Sequence, residues 1–113
     1  MANDIRAKLS YCPVPAQKVR LVIDLVRRLP AVEALDTLKF VNKGAAAPVR
    51  KLLASAVANA EENFGIDRNN LFVYQIVADE APTRKWRRFG ARGRFKPILK
   101  RASHVTVVLR ERE

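Results

Sequence analysis

The sequence has one cysteine, one histidine and one tryptophan among its 113 residues. A single thiol, Cys12, excludes an internal disulfide and a cysteine-rich zinc site, which fits a reducing compartment. No apolar run reaches the ~18 residues that a membrane-spanning helix needs, and residues 1–13 lack the apolar core of a secretion signal. These absences predict a soluble, intracellular protein of one domain with no membrane partner.

Catalytic signatures are also missing. The acidic pairs Glu61-Glu62 and Asp79-Glu80 are sequence neighbours, so on a strand their side chains point to opposite faces, and no metal-ligand spacing accompanies either pair. There is no phosphate-binding loop, dinucleotide motif or nucleophile motif. An enzyme acting on RNA would need a catalytic constellation that these residues do not supply. The sequence predicts no enzymatic activity, no cofactor and no metal site.

About a quarter of the chain, one continuous stretch, has no acidic residue at all. Residues 81–110 hold ten of the 22 basic residues and none of the 11 acids, so almost the whole net charge of +11 lies there. Nine of those cations fall within residues 84–101, the basic segment. Charge concentrated in one segment of a near-neutral domain is typical of a polyanion binder.

Hydrophobic periodicity predicts three strands and three helices. Residues 4–11 alternate, with Ile5, Ala7, Leu9 and Tyr11 on one face and a basic outer face that includes Lys8. β-branched and aromatic residues predict two more strands, 71–77 and 104–109, which pair antiparallel. Apolar residues spaced three and four apart predict three helices. The first follows Pro15 (16–29), the second follows Pro30 (31–41), and the third ends before Gly65 (about 45–64). The fold class is α+β.

The residues between the predicted strands 71–77 and 104–109 are expected to form a long β-hairpin, 79–103, which we name the arm. The remainder, residues 1–78 and 104–113, is the body. Gly90 and Gly93 mark the expected turn, and two sides of about ten residues each reach roughly 33 Å. The arm has little apolar surface, so we expect a partner to order it.

Three aromatic residues are interspersed among the basic residues of the arm. Guanidinium groups suit phosphate and stack on bases, and Trp86, Phe89 and Phe95 lie among them, a composition that favours RNA. The rings could instead pack across the hairpin and stiffen it. Another reading is a DNA-architectural protein whose arm enters the minor groove with Pro97 or an aromatic ring as a wedge. His104 beside the basic segment is predicted to be hydrogen-bonded or to contact RNA.

Several runs resemble one known family over nearly the whole chain: 16–22 (AQKVRLV), 42–46 (NKGAA), 55–61 (SAVANAE), 77–82 (VADEAP), 91–94 (ARGR) and 98–108 (ILKRASHVTVV). They are similar to the bacterial form of the universal large-subunit ribosomal protein family number twenty-two. The resemblance implies three helices packed on a small three-stranded antiparallel sheet, with a long extended basic β-hairpin. The chain differs from the family at Phe89-Gly90, where Pro-Arg is usual, and at Val14, where a helix-capping Ser is common.

The resemblance also implies function and partners. The family binds 23S-type rRNA, holds several rRNA domains together during subunit assembly and contacts neighbouring large-subunit proteins. The expected location is the cytoplasmic ribosome, with an organellar ribosome as the alternative. The hairpin tip lines the exit tunnel of the nascent polypeptide. The rRNA-binding residues expected here are Lys8, Lys18, Arg20, Arg84, Lys85, Arg87, Arg88, Arg92, Arg94, Lys96, Lys100, Arg101 and His104. The tunnel-lining tip is Trp86, Phe89, Gly90, Ala91, Arg92, Gly93, Arg94 and Phe95.

Overall fold

A computed structural model describes residues 4–82, 84–89 and 95–112, with the backbone alone for 84–89 and 95–100. Its helices are α1 (Ala16–Ile23), α2 (Ala31–Phe40), α3 (Ala46–Phe64) and a short 3-10 helix, Arg68–Asn70. Its strands are β1 (Ile5–Cys12), β2 (Leu71–Glu80), β3 (Arg84–Phe89), β4 (Phe95–Lys100) and β5 (Ser103–Glu111). No helix in the described ranges is long and apolar enough to cross a membrane.

The body is built on a three-stranded antiparallel sheet in the order β1-β5-β2. The register aligns Ile5, Leu109 and Val73 in one row across the three strands, and all three side chains are buried. Helices α1 and α3 pack on this face. The predicted α+β class, the three helices on the sheet and the antiparallel pairing of the last two body strands are therefore confirmed.

The prediction that Tyr11 shares the buried face of β1 is wrong. The register of β1 against β5 shifts between Leu9 and Cys12, which marks a β-bulge. Tyr11 has a φ of 56° and its side chain is 59% exposed, whereas Cys12 is buried. Since an inserted residue reverses the alternation of a strand beyond it, the thiol takes the inward position that the tyrosine was expected to hold.

Helix α1 is shorter than predicted, because it ends at Ile23 rather than Leu29. Residues 24–28 form turns, and Arg28 has a φ of 65°. The chain leaves the helix to pair with the outer edge of β2: Arg28 N–H donates to Val73 O (3.1 Å), and Val73 N–H donates to Leu29 O (2.9 Å). Val26 remains fully buried, which explains why the apolar spacing continues past the end of the helix.

The third helix is confirmed, but Phe64 does not belong to its buried side. Phe64 is 49% exposed. Gly65, with a φ of 64°, ends the helix in the left-handed conformation, and Ile66 folds back so that its N–H donates to Ala60 O (3.2 Å). Ile66 is buried and covers the end of the helix in place of Phe64.

Strands β3 and β4 form a separate two-stranded antiparallel sheet, with Arg84 opposite Lys100 and Phe89 opposite Phe95. Short connections join it to the body strands, and at their start Ala81 N–H donates to Ala102 O (3.0 Å). The tip of the predicted hairpin, 90–94, lies outside the described residues. The body sheet itself extends to the pair Glu80–Ser103. The division into body and arm stays a prediction.

Ser103 anchors the start of β5 to the segment before α1. Its side chain is fully buried, and its hydroxyl donates to Val14 O at 2.8 Å. We expect Ser103→Ala to lower the free energy of unfolding by about 1–2 kcal/mol, because Val14 O, in a partly buried position, would lose its donor. Urea denaturation measures the loss, and Ser10→Ala, at an exposed position of β1, is the control. Equal effects of the two changes would contradict this role.

Candidate nucleic-acid interface

The body sheet has one face covered by helices and one open face. Along β5 the buried residues Val105, Val107 and Leu109 alternate with His104, Thr106, Val108 and Arg110, which are half-buried except for the buried Val108. The register places Lys8, Thr106 and Val77 in one row across the sheet. Helices cover the opposite face, so these residues lie on the open one. A solvated sheet face with cations and aromatic rings is a suitable surface for a nucleic acid.

The cations of the open face come from two strands. Arg6 and Lys8 of β1 are exposed, and Arg110 of β5 is half-buried. Lys8 was predicted as an rRNA-binding residue, and its exposure is compatible with that role. Arg6 and Arg110 were missed because their strand positions alone do not distinguish a binding surface from an ordinary solvated face.

Arg110 is held by an ion pair with Asp4. Its Nε lies 2.6 Å from Asp4 Oδ1. This hydrogen bond lowers the pKa of Asp4 and raises the pKa of Arg110. Since a lowered carboxylate pKa stabilises the fold only while the group is ionised, the contribution of the pair is present above the ordinary pKa of aspartate. It is lost as the pH falls through the lowered value.

His104 lies at the end of the open face nearest the arm. Its Nδ1 accepts a hydrogen bond from Tyr11 N–H (3.1 Å), and its ring meets the Tyr11 ring edge to face with centroids 4.7 Å apart. A neutral imidazole that accepts at Nδ1 carries its proton on Nε2, which can donate to a phosphate oxygen. The β-bulge that turns Tyr11 outward therefore also fixes His104. Its contact with RNA stays a prediction.

The two predicted binding residues of α1 have different surroundings. Lys18 is exposed and lines a groove of about 530 Å³ with Pro13, Val14 and Lys43 among its walls. Arg20 donates from Nε (3.2 Å) and Nη2 (2.9 Å) to Ala78 O on the outer edge of β2. Arg20 thus has a structural contact that the sequence did not predict, while its proposed contact with RNA is untested.

The remaining predicted residues belong to the arm. Arg101 is exposed in the connection between β4 and β5. The ladder of β3 and β4 places the other basic positions on two paired strands: Arg84, Lys85, Arg87 and Arg88 on β3, and Lys96 and Lys100 on β4. Trp86, Phe89 and Phe95 occupy positions of the same ladder. Arg92 and Arg94 fall, with Gly90, Ala91 and Gly93, outside the described residues.

Acidic groups do not assemble into a metal centre within the described ranges, where no cluster of three or more potential His, Cys, Asp or Glu ligands occurs. Asp79 and Glu80 are both exposed at the end of β2. The N-cap residue of helix α1 is Pro15, which has no side-chain cap; Val14, where the family commonly has a capping Ser, lies one residue before it. The chemistry that the interface offers is therefore that of guanidinium, ammonium, imidazole and aromatic groups.

Comparison with known families gives one match that spans both the body and the arm. Residues 7–110 match the sequence model of the family described as ribosomal protein L22p/L17e. The match begins inside β1, includes all three helices and ends in β5 one residue before its last position, so Arg6 and Asp4 lie outside it.

Proposed function

We infer the function of this chain from its membership of the ribosomal protein L22p/L17e family, to which it belongs over residues 7–110. It is a structural protein of the large ribosomal subunit, and its location is the ribosome in the cytoplasm. The family consists of structural ribosomal proteins rather than enzymes.

We propose that the arm binds 23S-type rRNA, contacts several rRNA domains and supports subunit assembly. The observation that carries this proposal is the placement of the charge. Nine cations and no acid lie within the basic segment, residues 84–101, and the ladder of β3 and β4 sets most of them on a sheet separate from the body. Release of counterions from the RNA on contact with such a surface supplies affinity.

The register of the ladder supports a polyanionic partner. Arg84 lies directly opposite Lys100, and Arg88 lies directly opposite Lys96. Like charges at opposite positions destabilise an isolated antiparallel ladder. Phosphates bound between or beside these cations would turn the repulsion into a net attraction that stabilises the ladder. The arm is therefore better suited to an RNA-bound state than to water.

The proposed tip, Gly90 to Phe95 with Trp86 and Phe89, lines the exit tunnel of the nascent polypeptide. The support is the resemblance of the runs that enter and leave the arm, together with two glycines that permit a tight turn. Neighbouring large-subunit proteins would contact the body. Lys8, Lys18, Arg20 and His104 are the body residues proposed to reach rRNA.

Sedimentation of a native lysate tests the assignment. We expect this protein to migrate stoichiometrically with the large subunit in a sucrose gradient and to remain there after a wash at about 0.5 M salt, since simple counterion-driven adhesion weakens steeply with salt. Migration with chromosomal DNA would favour the DNA-architectural alternative. Protein released to the top of the gradient by the wash would contradict an integral role.

Neutralising the tip tests the phosphate contacts of the arm. Changing Arg92, Arg94 and Lys96 to Ala should lower the affinity for a 23S-type transcript and flatten its dependence on salt by about one unit of slope per lost phosphate contact. Filter binding between 50 and 400 mM KCl measures both quantities. The control changes Lys39, Arg50 and Lys51 of the body to Ala, an equal loss of charge. An unchanged slope for the tip variant would exclude its contact with phosphate.

A further inference from the structure

A second anomaly of the sheet lies in β2, at Tyr74. The register of β2 against β5 pairs Val73 with Leu109 and Gln75 with Val108, so Tyr74 is an extra residue that opposes no partner. β-Bulges of this kind redirect a side chain and often lie beside functional sites. The Tyr74 ring packs edge to face with Phe72 at a centroid distance of 6.2 Å and is half-buried. The bulge thus presents an aromatic ring at the edge of the body sheet.

Two arginines are placed over this ring. The guanidinium carbon of Arg110 lies 3.4 Å from the ring centroid, and that of Arg28 lies 5.3 Å from it. They come from the two segments that flank β2, namely β5 and residues 28–30. Arg110 already donates from Nε and Nη2 to Asp4. Arg28, placed over the same ring, can donate to a ligand in the plane of its guanidinium. This arrangement orients donors toward a ligand before it binds.

Arg28 adopts a backbone conformation that disfavours its own side chain. Its φ of 65° lies in the left-handed region, which a residue with a Cβ rarely occupies. The hydrogen bonds of Arg28 N–H and Leu29 O to Val73 hold the segment there. Glycine would meet this conformation without strain, so an arginine at this position indicates that its side chain has a function.

These side chains line an open cleft of about 320 Å³. Its walls are Arg27, Arg28, Tyr74, Gln75 and Ile76, with no carboxylate among them. Arg27 is paired with Asp24, with 2.8 Å between Nε and Oδ1, and both groups are substantially exposed. Arg28 forms no ion pair with a carboxylate in the part of the chain that the structure describes. The cleft therefore has an excess of positive charge, a phenol and an amide.

We propose that this Tyr74 cleft is a phosphate-binding site of the body, which takes a backbone phosphate of the ribosomal RNA. The inference rests on the proposed function and extends it to a surface separate from the arm. Arg28 donates to the phosphate oxygens, and the Tyr74 ring orients Arg28. Arg27 contacts the phosphate too, either in place of its ion pair with the exposed Asp24 or in addition to it. Planar, bidentate donors favour phosphate, and the open sheet face with Arg6 and Lys8 continues the same RNA-facing surface.

Arginine footprinting of the unmodified full chain tests the site without a variant. The free protein and its complex with a 23S-type rRNA transcript are treated with phenylglyoxal, and the modified arginines are identified by mass spectrometry. We expect Arg27 and Arg28 to react in the free protein and to be protected at least severalfold in the complex. Arg68, which is paired with Glu61 on the helical side of the body, should show no change and serves as the internal control.

Variants give the matching affinities. Arg28→Gly preserves the backbone conformation, so it should fold with an unchanged or higher midpoint of thermal unfolding. Combined with Arg27→Gln it should lower the affinity for the transcript about tenfold at 100 mM KCl and reduce the salt slope by about one. The pair Lys39→Gln and Lys51→Gln removes the same charge from the exposed surface of α2 and α3. It should change the affinity less than twofold.

The outcomes separate this inference from the proposed function. If the full chain shows no preference for the rRNA transcript, the proposed function fails. If the chain binds and the arm variant weakens it, while Arg27 and Arg28 stay reactive in the complex, the arm is supported and the Tyr74 site is overturned. Protection that occurs only in the intact large subunit would assign the cleft to a neighbouring protein and also overturn it. If the Arg27/Arg28 and Lys39/Lys51 variants lose the same affinity, the loss reflects net charge alone and the Tyr74 site is overturned.

Discussion

Replacing residues 82–101 by Asn-Gly is expected to lower the affinity for 23S-type rRNA by roughly 10³-fold at 100 mM salt while the body remains folded. The loss of affinity follows from the removal of all nine cations of the basic segment. Only three of them need to make charge-assisted phosphate contacts of about 1.4 kcal/mol each, a factor of ten apiece, to reach this value.

The body should tolerate the excision because the register of the sheet provides a place to close the chain. Ala81 N–H donates to Ala102 O at 3.0 Å, so the two residues already face each other across the ladder of β2 and β5. A two-residue Asn-Gly loop fits between such a pair as a type I′ turn. Among the described residues, the buried core is drawn from positions before 82 and after 102.

Two measurements check this prediction on the same sample. Circular dichroism with thermal unfolding reports whether the body folds, and filter binding reports the affinity. A folded variant that binds the transcript as tightly as the full chain would move the binding function from the arm to the body. A variant that does not fold would contradict the division into body and arm. The full-length variant of Lys39, Arg50 and Lys51 controls for the loss of positive charge.

Changing Leu53 to Ala is expected to have the largest effect on stability. Leu53 lies in the middle of α3 and is completely buried, and α3 packs on α1, α2, β1 and β5. Truncation removes buried methyl groups and leaves a cavity that surrounding elements from several parts of the chain cannot fill. We expect the free energy of unfolding to fall by about 3 kcal/mol.

The same substitution at Leu21 is the control. Leu21 is 56% exposed on α1, so Leu21→Ala should cost less than about 1 kcal/mol. Urea denaturation curves with a common slope would show that both changes act on stability alone. Equal losses at the two positions would contradict the core as described here, because the burial of the two leucines is what distinguishes them.

The sequence predicted most of the fold because the decisive signals are local. β-Branched and aromatic residues mark β2, the valine-rich run marks β5, and the alanine-rich repeat with Gly65 after it marks α3. The end of α1 was missed because Val26 continues the apolar spacing, although the chain leaves the helix at Ile23. Pairing of residues 28–30 with β2 decides that ending, and it is a tertiary interaction that no window of sequence contains.

The candidate interface likewise has one part that the sequence reveals and one part that it does not. The basic segment stands out from its composition, because nine cations without an acid need no structure to be noticed. The Tyr74 cleft could not be found from sequence, since it depends on a β-bulge, on a left-handed arginine and on two segments, β5 and residues 28–30, that bring Arg110 and Arg28 to one ring. Arg27 and Arg28 alone read as the ordinary charges of a solvated helix.

The position of β5 in the sheet has a consequence for the order of events during synthesis. β5 follows the other two strands of the body sheet in sequence, yet it is the central strand, and within the described residues β1 and β2 pair with no other strand of that sheet. At about 5–20 residues per second the ribosome needs roughly 5–25 s to produce the chain, and the sheet cannot close before the end of that time. The cationic residues of the arm thus emerge before the body exists. Until β5 has been made, the basic residues of the arm are therefore accessible while the sheet is still open, and we expect capture by RNA to compete with folding of the body.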